Sequence, residues 1–435
     1  MKRFALEKLK EWKKKANRKP LIIRGARQVG KTWLMKEFGR TCFEKVAYVN
    51  FDSNTRMQQV FDGEINIERI ILAISAETGI SIDVKDTLLI FDEVQEVPKA
   101  LSSLKYFCEN APEYAIVAAG SLLGVALHKG TSFPVGKVDF MDLYPLTFQE
   151  FLCALGEERF VNILQGTDTD MVTTFKSKYI DRLREYYYVG GMPEVVQTYV
   201  ETKDFNQVRE IQKNLLNYYQ QDFSKHAETS LVPRLNLVWN SIPMQLAKEN
   251  KKYIYGQVRE GSRAKDFELA IQWLLDCGLI HKVQRIQKPD LPLKAYIDFD
   301  AFKLFLVDIG LLIAMTDLDA KVIIEGNKIF TEFKGALTEQ YILQQLISDV
   351  GVIPYYYSTQ NSKGEIDFLV QGKTSVIPIE VKAEENLKAK SLKAFCEKYQ
   401  PSYAVRTSMS DYREQDWMTN IPLYAVKWIK NYVNQ

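Results

Sequence analysis

A chain of 435 residues is too long for a single hydrophobic core, since domains usually run to roughly 100 to 150 residues, and about three or four domains are expected. With 46% hydrophobic and 26% charged residues and a formal net charge of +2, the composition excludes a disordered or fibrous chain and makes any contact with nucleic acid a local matter. Five scattered cysteines, Cys42, Cys108, Cys153, Cys277 and Cys396, contain no C-x-x-C pair, which argues against structural zinc and fits small apolar fillers in a reducing, cytoplasmic setting.

In chain order, the opening MKRFALEKLKEWKKK has no uninterrupted apolar core, so it reads as neither signal peptide nor membrane anchor. Ala5, Leu9, Trp12 and Ala16 fall at helical spacing with lysines on the opposite face, which predicts an amphipathic helix packed on the first domain. The longest apolar stretch, Ala115 to Leu127, falls well short of the roughly 20 residues of a membrane span, so no membrane partner is expected.

The stretch KPLIIRGARQVGKT fits G-x-x-x-x-G-K-[ST] through Gly25, Gly30, Lys31 and Thr32, after a short apolar run from Leu21 to Ile23 that predicts a buried parallel strand. A helix is expected after Thr32, with Trp33, Leu34 and Phe38 as apolar members and Gly39 as its stop. Phosphates need converging N–H donors on a backbone that can approach closely. The loop Gly25, Ala26, Arg27, Gln28, Val29, Gly30, Lys31 and Thr32 supplies them, Lys31 adds a point charge, and the Thr32 hydroxyl suits Mg2+. ATP and Mg2+ are the expected ligands.

Val46 to Phe51 reads as a second strand, followed by a polar connection and a helix around Ile65 to Ala76. The run Thr87 to Glu93 reads as a buried strand ending in two acids. Asp92 suits the metal shell, through the metal's water or the Thr32 hydroxyl, and Glu93 suits a general base that polarises the attacking water. Tyr114 to Gly120 predicts a strand between the first and the acid-bearing one, with Ser121 at its end as a γ-phosphate sensor or a simple turn hydroxyl. Val138 to Leu143 completes the set, and Phe148, Phe151 and Leu152 lie on the next helix.

GARQVGKT, LIFDEVQEVP, AAGSLLG and DLYPLTFQEF, followed by Gly190-Gly191-Met192-Pro193-Glu194, resemble the bacterial and archaeal AAA-superfamily ATPases that carry an uncharacterised C-terminal domain. That resemblance implies Mg2+-dependent ATP hydrolysis. Family members usually show Gly-Arg before the DLYPL segment, whereas this chain has Gly136-Lys137, and a lysine lacks the planar fork of an arginine finger.

From Phe151 to about Ser224 the pattern is helical, which suggests a lid over residues 151–225, with Tyr186 to Tyr188 as core. Two helical periods, around Leu235 to Leu246 and Phe267 to Leu274, precede strand-like Leu279 to Ile286 and Lys303 to Val307. That is the order of a winged helix, expected over 226–318, and it keeps DNA open as a partner although Arg263 and Lys265 are offset by Asp266 and Glu268.

In the last segment, 319–435, a helix beginning at Gly335 carries Glu339, and strands Ile366 to Val370 and Val376 to Val381 are expected around a two-residue turn, Gly372-Lys373. Such a turn sets Asp367 across from Pro378 and diagonal to Glu380, with Lys382 on the same face. The set Glu339, Asp367, Glu380 and Lys382 resembles the PD-(D/E)XK nuclease superfamily, which implies acids holding magnesium, Asp367 and Glu380 foremost, and a lysine that helps activate water. The expected architecture is therefore an α/β multidomain chain: a P-loop parallel-sheet ATPase core over 1–150, a helical lid, a winged-helix-like module and a restriction-endonuclease-like α/β domain. ATP-controlled docking of a protein partner and ATP-coupled DNA cleavage both stay open at this point.

Overall fold

The computed structural model describes every residue except 121–123, 125–132, 167, 249–250, 326–330, 360–363 and 385–388, and the side chains of 331 and 332. The described chain divides into two compact units, Lys2–Tyr144 with Trp273–Leu279, and Pro145–Gln272 with Ile280–Gln435. No helix among the described residues is long and apolar enough to cross a membrane.

The first unit is built on five strands, β1 (Leu21–Arg24), β2 (Lys45–Asn50), β3 (Thr87–Asp92), β4 (Ala115–Ala119) and β5 (Asp139–Asp142). They lie in the order β2-β3-β4-β1-β5 with every neighbouring pair parallel. Both faces are covered, which is why the central strands read as continuous apolar runs rather than alternating ones. Leu21, Ile23, Leu88, Ile90 and Val117 meet helices α1 (Ala5–Lys14) and α2 (Lys31–Cys42) on one side. Ile22, Val49, Leu89, Phe91 and Ile116 meet α3 (Thr55–Asp62), α4 (Ile67–Thr78) and α5 (Pro98–Asn110) on the other. The amphipathic first helix buries Leu9 and Trp12 in that first core, as its periodicity predicts, whereas Ala16 lies past the helix end and is exposed.

Two local expectations are corrected. Helix α2 does not stop at Gly39 but runs on to Cys42, and Trp33 is exposed. A Cβ at residue 39 would come within 2.5 Å of Val46 Cγ2, so the glycine allows the helix to lie close to β2 rather than ending it. The polar connection after β2 holds a further helix, α3, whose start is fixed by the Asn54 side chain accepting from Met57 N at 3.0 Å.

The second unit opens with helices Phe148–Ala154, Lys176–Val189, Pro193–Thr202, Phe205–His226 and Val232–Leu246. Its sheet has eight strands: β6 (Ile280–Ile286), β7 (Ile297–Leu306), β8 (Tyr355–Ser358), β9 (Glu365–Gln371), β10 (Val376–Val381), β11 (Val405–Ser408), β12 (Arg413–Gln415) and β13 (Met418–Pro422). Their order is β12-β13-β11-β10-β9-β8-β6-β7. The ribbon expected of a winged helix does form, β6 antiparallel to β7, but β6 also pairs in parallel with β8 through Arg285↔Tyr356 and Ile286↔Tyr357. The ribbon is thus an edge of the large sheet, to which strands on both sides of residue 318 contribute.

A buried polar hub explains why the lid expected at 151–225 also packs into this unit. Asp308, fully buried, caps helix Ile309–Met315 by accepting from Leu311 N at 3.1 Å, and it accepts from Gly191 N at 2.6 Å and Gln344 Nε2 at 3.3 Å. Gln344 also donates to Tyr186 OH at 3.0 Å, and Tyr186 donates to Leu146 O at 2.5 Å. These bonds join residues from 146 to 344, and buried polar groups of this kind must find partners wherever the chain can supply them. Tyr186, Tyr187 and Tyr188 are buried, as expected of core rather than of a base-stacking platform.

Candidate nucleotide site

The loop Gly25–Gly30 leaves the carboxyl end of β1 and runs into α2, while Asp92 ends β3, two strands away with β4 between them. Ligands of open α/β sheets bind at carboxyl ends of this kind, where the strand order reverses. Gly25 has φ +146 and its hydrogen faces Leu143 O, which a Cβ would approach to 2.2 Å, so no other residue fits there. Gly30 has φ +95 and caps α2, and Gln28 is also left-handed at φ 63.

Lys31 is buried and its Nζ donates to Gly25 O and Ala26 O at 2.8 Å each. Burial pulls its pKa down to about 8, against the pull of Glu93 and Asp92, which raise it, and with a small further lowering by Arg27. Thr32 Oγ1 donates to Asp92 Oδ2 at 2.6 Å, and the same oxygen accepts from Tyr48 OH at 3.0 Å. Asp92 Oδ1 accepts from Glu93 N at 3.1 Å, so the carboxylate is fixed by donors on both oxygens. Glu93 is left-handed at φ 51, an uncommon conformation for a glutamate, and its Oε2 accepts from Gln95 Nε2 at 2.6 Å. A hydroxyl and a carboxylate side by side are hard oxygen donors of the type Mg2+ takes, next to a loop of amides and an ammonium suited to phosphates.

Residues 17–152 match a family model described as an AAA domain. Two further models, each described as a domain of unknown function, match residues 180–322 (DUF8612) and 334–426 (DUF4143). No curated protein matches the chain. Among solved structures, the chain is similar to the Walker-type ATPase PABY2304 of Pyrococcus abyssi, at 14% identity and TM-score 0.45, covering 72% of this chain and 94% of that one. It is also similar to the Aeropyrum pernix ORC1 protein in complex with DNA, at 12% identity and TM-score 0.29, covering 72% and 91%. By its match over residues 17–152, the first unit carries an AAA-type P-loop ATPase domain, and that match spans all five of its strands.

Ser121 lies outside the described residues. Lys137, in the position where an arginine finger would be sought, pairs with Glu109 Oε1 on α5 at 2.9 Å. Tyr48 lies outside the quoted motifs and was not legible as a site residue, whereas Gln95 lies inside LIFDEVQEVP, two residues after Glu93, and its role shows only in its bond to Glu93. Tyr48 is brought in by the pairing of β2 with β3, Gln95 by the tight turn over Val94–Glu96.

The second set of acids is arranged differently from expectation. Gly372 to Ser375 forms a four-residue connection, closed by Gly372 N donating to Ser375 O at 2.9 Å, and β9 and β10 pair through Gln371↔Val376 and Pro378↔Leu369. Continuing that register sets Asp367 across from Glu380 rather than from Pro378. The slip is two residues, so the shared face of Asp367, Glu380 and Lys382 is preserved. Val381 N donates to Asp367 Oδ2 at 2.7 Å, and Lys382 Nζ pairs with Glu380 Oε1 at 2.8 Å.

Two lysines absent from the sequence reading enter the same cluster. Lys303, fully buried on β7, pairs with Glu365 and lies 3.6 Å from Glu339 Oε2, and Lys251 pairs with Glu339 Oε1. Burial would raise the pKa of Glu339, but Lys251 and Lys303 outweigh it and hold it below its ordinary value. Burial lowers that of Lys303, but Glu339, Glu365 and Asp367 bring it above its own. Burial, with Glu339 beside it, raises that of Asp367. Among the described residues no three or more His, Cys, Asp or Glu are grouped to hold a metal ion. Glu339 already faces two ammonium groups and Glu380 a third, so this donor set as arranged does not fit a divalent cation.

Proposed function

We propose that the chain binds and hydrolyses ATP with Mg2+ and uses the cycle for conformational control of its second unit. One contact carries the reading: the 2.6 Å bond between Thr32 Oγ1 and Asp92 Oδ2, beside the buried Lys31. Thr32 and Asp92 would hold Mg2+, whose charge offsets that of the phosphate oxygens. The amides of Gly25 to Thr32 orient the triphosphate, Lys31 neutralises its outer charge, and Glu93, steadied by Gln95, accepts the proton of the attacking water. Ser121 is retained in this reading as a sensor. Phosphate release in wild type and Lys31→Ala, with and without Mg2+, is the test. Equal rates in the two proteins reject the proposal.

The pairing of acids with Lys251, Lys303 and Lys382 favours a switch, in which nucleotide governs docking of a protein partner without DNA cleavage, over a nuclease built on Glu339, Asp367, Glu380 and Lys382. Plasmid incubated with Mg2+, ATP and either wild type or Asp367→Ala separates them. Nicking by wild type alone supports the nuclease, and no nicking by either supports the switch. Duplex DNA titrated at two salt concentrations tests for a DNA partner, since phosphate contacts weaken as salt rises.

A further inference from the structure

We infer that Arg3 is a positioning residue for the nucleotide loop, an inference that rests on the ATP-binding reading above. Arg3 precedes α1 and is buried, 7% exposed. Its guanidinium bridges two main-chain carbonyls that are far apart in sequence: Nη1 donates to Val29 O at 3.2 Å and Nη2 to Tyr144 O at 2.6 Å. Val29 stands next to last in the loop, and its own N–H donates to Ala26 O at 3.4 Å. Tyr144 follows Leu143, whose N–H is held by Arg24 O at 2.8 Å and whose carbonyl lies against Gly25. Arg3 therefore fastens the end of the loop to the segment that already backs its beginning.

The consequence for phosphate binding follows from peptide geometry. The carbonyl of Val29 and the N–H of Gly30 belong to one planar trans unit and point in opposite directions. A buried cation on the carbonyl fixes the tilt of that plane, so the Gly30 N–H faces away from Arg3. It also polarises the unit, because the same resonance links the oxygen to the nitrogen and makes its proton a better donor. Arg3 touches no nucleotide in this account and acts through Val29 and Gly30. An arginine is suited to the task, since its planar fork reaches two carbonyls at once, which a lysine ammonium on a flexible stem does less well.

ATP affinity by calorimetry and steady-state turnover are to be measured for wild type, Arg3→Lys, Arg3→Met and Leu9→Ala, the last weakening the packing of α1 while keeping the Arg3 side chain. Arg3→Met is expected to raise Kd and KM for ATP about tenfold while kcat stays within about twofold, as for lost binding shared by ground and transition states. Arg3→Lys should recover part of the affinity. Leu9→Ala should lower Tm and leave KM unchanged. A wild-type KM in Arg3→Met, or an equal rise in Leu9→Ala, overturns the inference while the ATP reading stands. A wild-type protein that binds no ATP overturns both.

Discussion

Thr32 and Asp92 lie 60 positions apart in the chain, yet the threonine hydroxyl donates to the aspartate carboxylate at 2.6 Å. The bond exists because the loop follows β1 and the acid ends β3, and parallel pairing brings both carboxyl ends to one edge of the sheet. Asp92→Asn and Thr32→Val should each lower ATP turnover by roughly 100-fold or more, with the loss concentrated in the Mg2+ dependence. Turnover against Mg2+ concentration checks it, and unchanged Mg2+ curves would show that the pair serves packing alone.

Glu93→Gln should keep ATP affinity while kcat falls by about 10² to 10⁴. Gln95→Ala, which removes the donor 2.6 Å from Glu93 Oε2, should give a smaller loss in the same direction. Calorimetry for binding and single-turnover kinetics for chemistry separate the two parameters.

Lys31 is expected to weaken the fold it serves. Its pKa of about 8 in the folded chain lies below the ordinary 10.5, so the unfolded chain binds more protons between those values and stability rises with pH through that window. Holding the buried charge at neutral pH costs roughly 3 kcal/mol, offset in part by the two hydrogen bonds to Gly25 and Ala26. Lys31→Met should therefore abolish turnover, raise stability at pH 7 by about 1 kcal/mol and lose the rise between pH 8 and 10.5. Urea melts across that range provide the measurement.

Gly190 is left-handed at φ +75, and a Cβ there would come within 2.1 Å of Asp308 Oδ1. Gly190→Ala should destabilise the second unit by about 3 kcal/mol or more, as backbone strain adds to displacement of a buried carboxylate. A two-probe chemical denaturation, one probe in each unit, should show the loss in the second transition.

Lys303→Met leaves Glu339 and Glu365 with one buried countercharge fewer, and about 3 to 5 kcal/mol of stability should go with it. Adding Glu365→Gln should restore a good part. Denaturation midpoints for the two single variants and the double variant decide it, and simple additivity would show that the charges are not coupled.

The elements of the candidate nucleotide site were legible because their signals are local: Gly25 to Thr32 is one contiguous loop and helix start, and Thr87 to Glu93 is an apolar run with acids at its end. Even the acid-bearing face of the β9–β10 hairpin could be read, since side-chain period two survives a slip of two residues. The register itself could not. A two-residue and a four-residue connection differ only in how the backbone closes between Gly372 and Ser375. Gly39 misled for a related reason, because a glycine that ends a helix and one that admits a neighbouring strand are the same letter.

By itself the sequence determined which residues are chemically equipped for phosphate and metal, and which runs form the parallel sheet that presents them. Tertiary structure alone decided what stands beside them: Arg3 behind Val29, Tyr48 on Asp92, Lys251 and Lys303 against Glu339. Periodicity and motif spacing act over a few residues, whereas buried charges and carbonyls are satisfied by whichever distant side chain the packing delivers, and no local pattern encodes that choice.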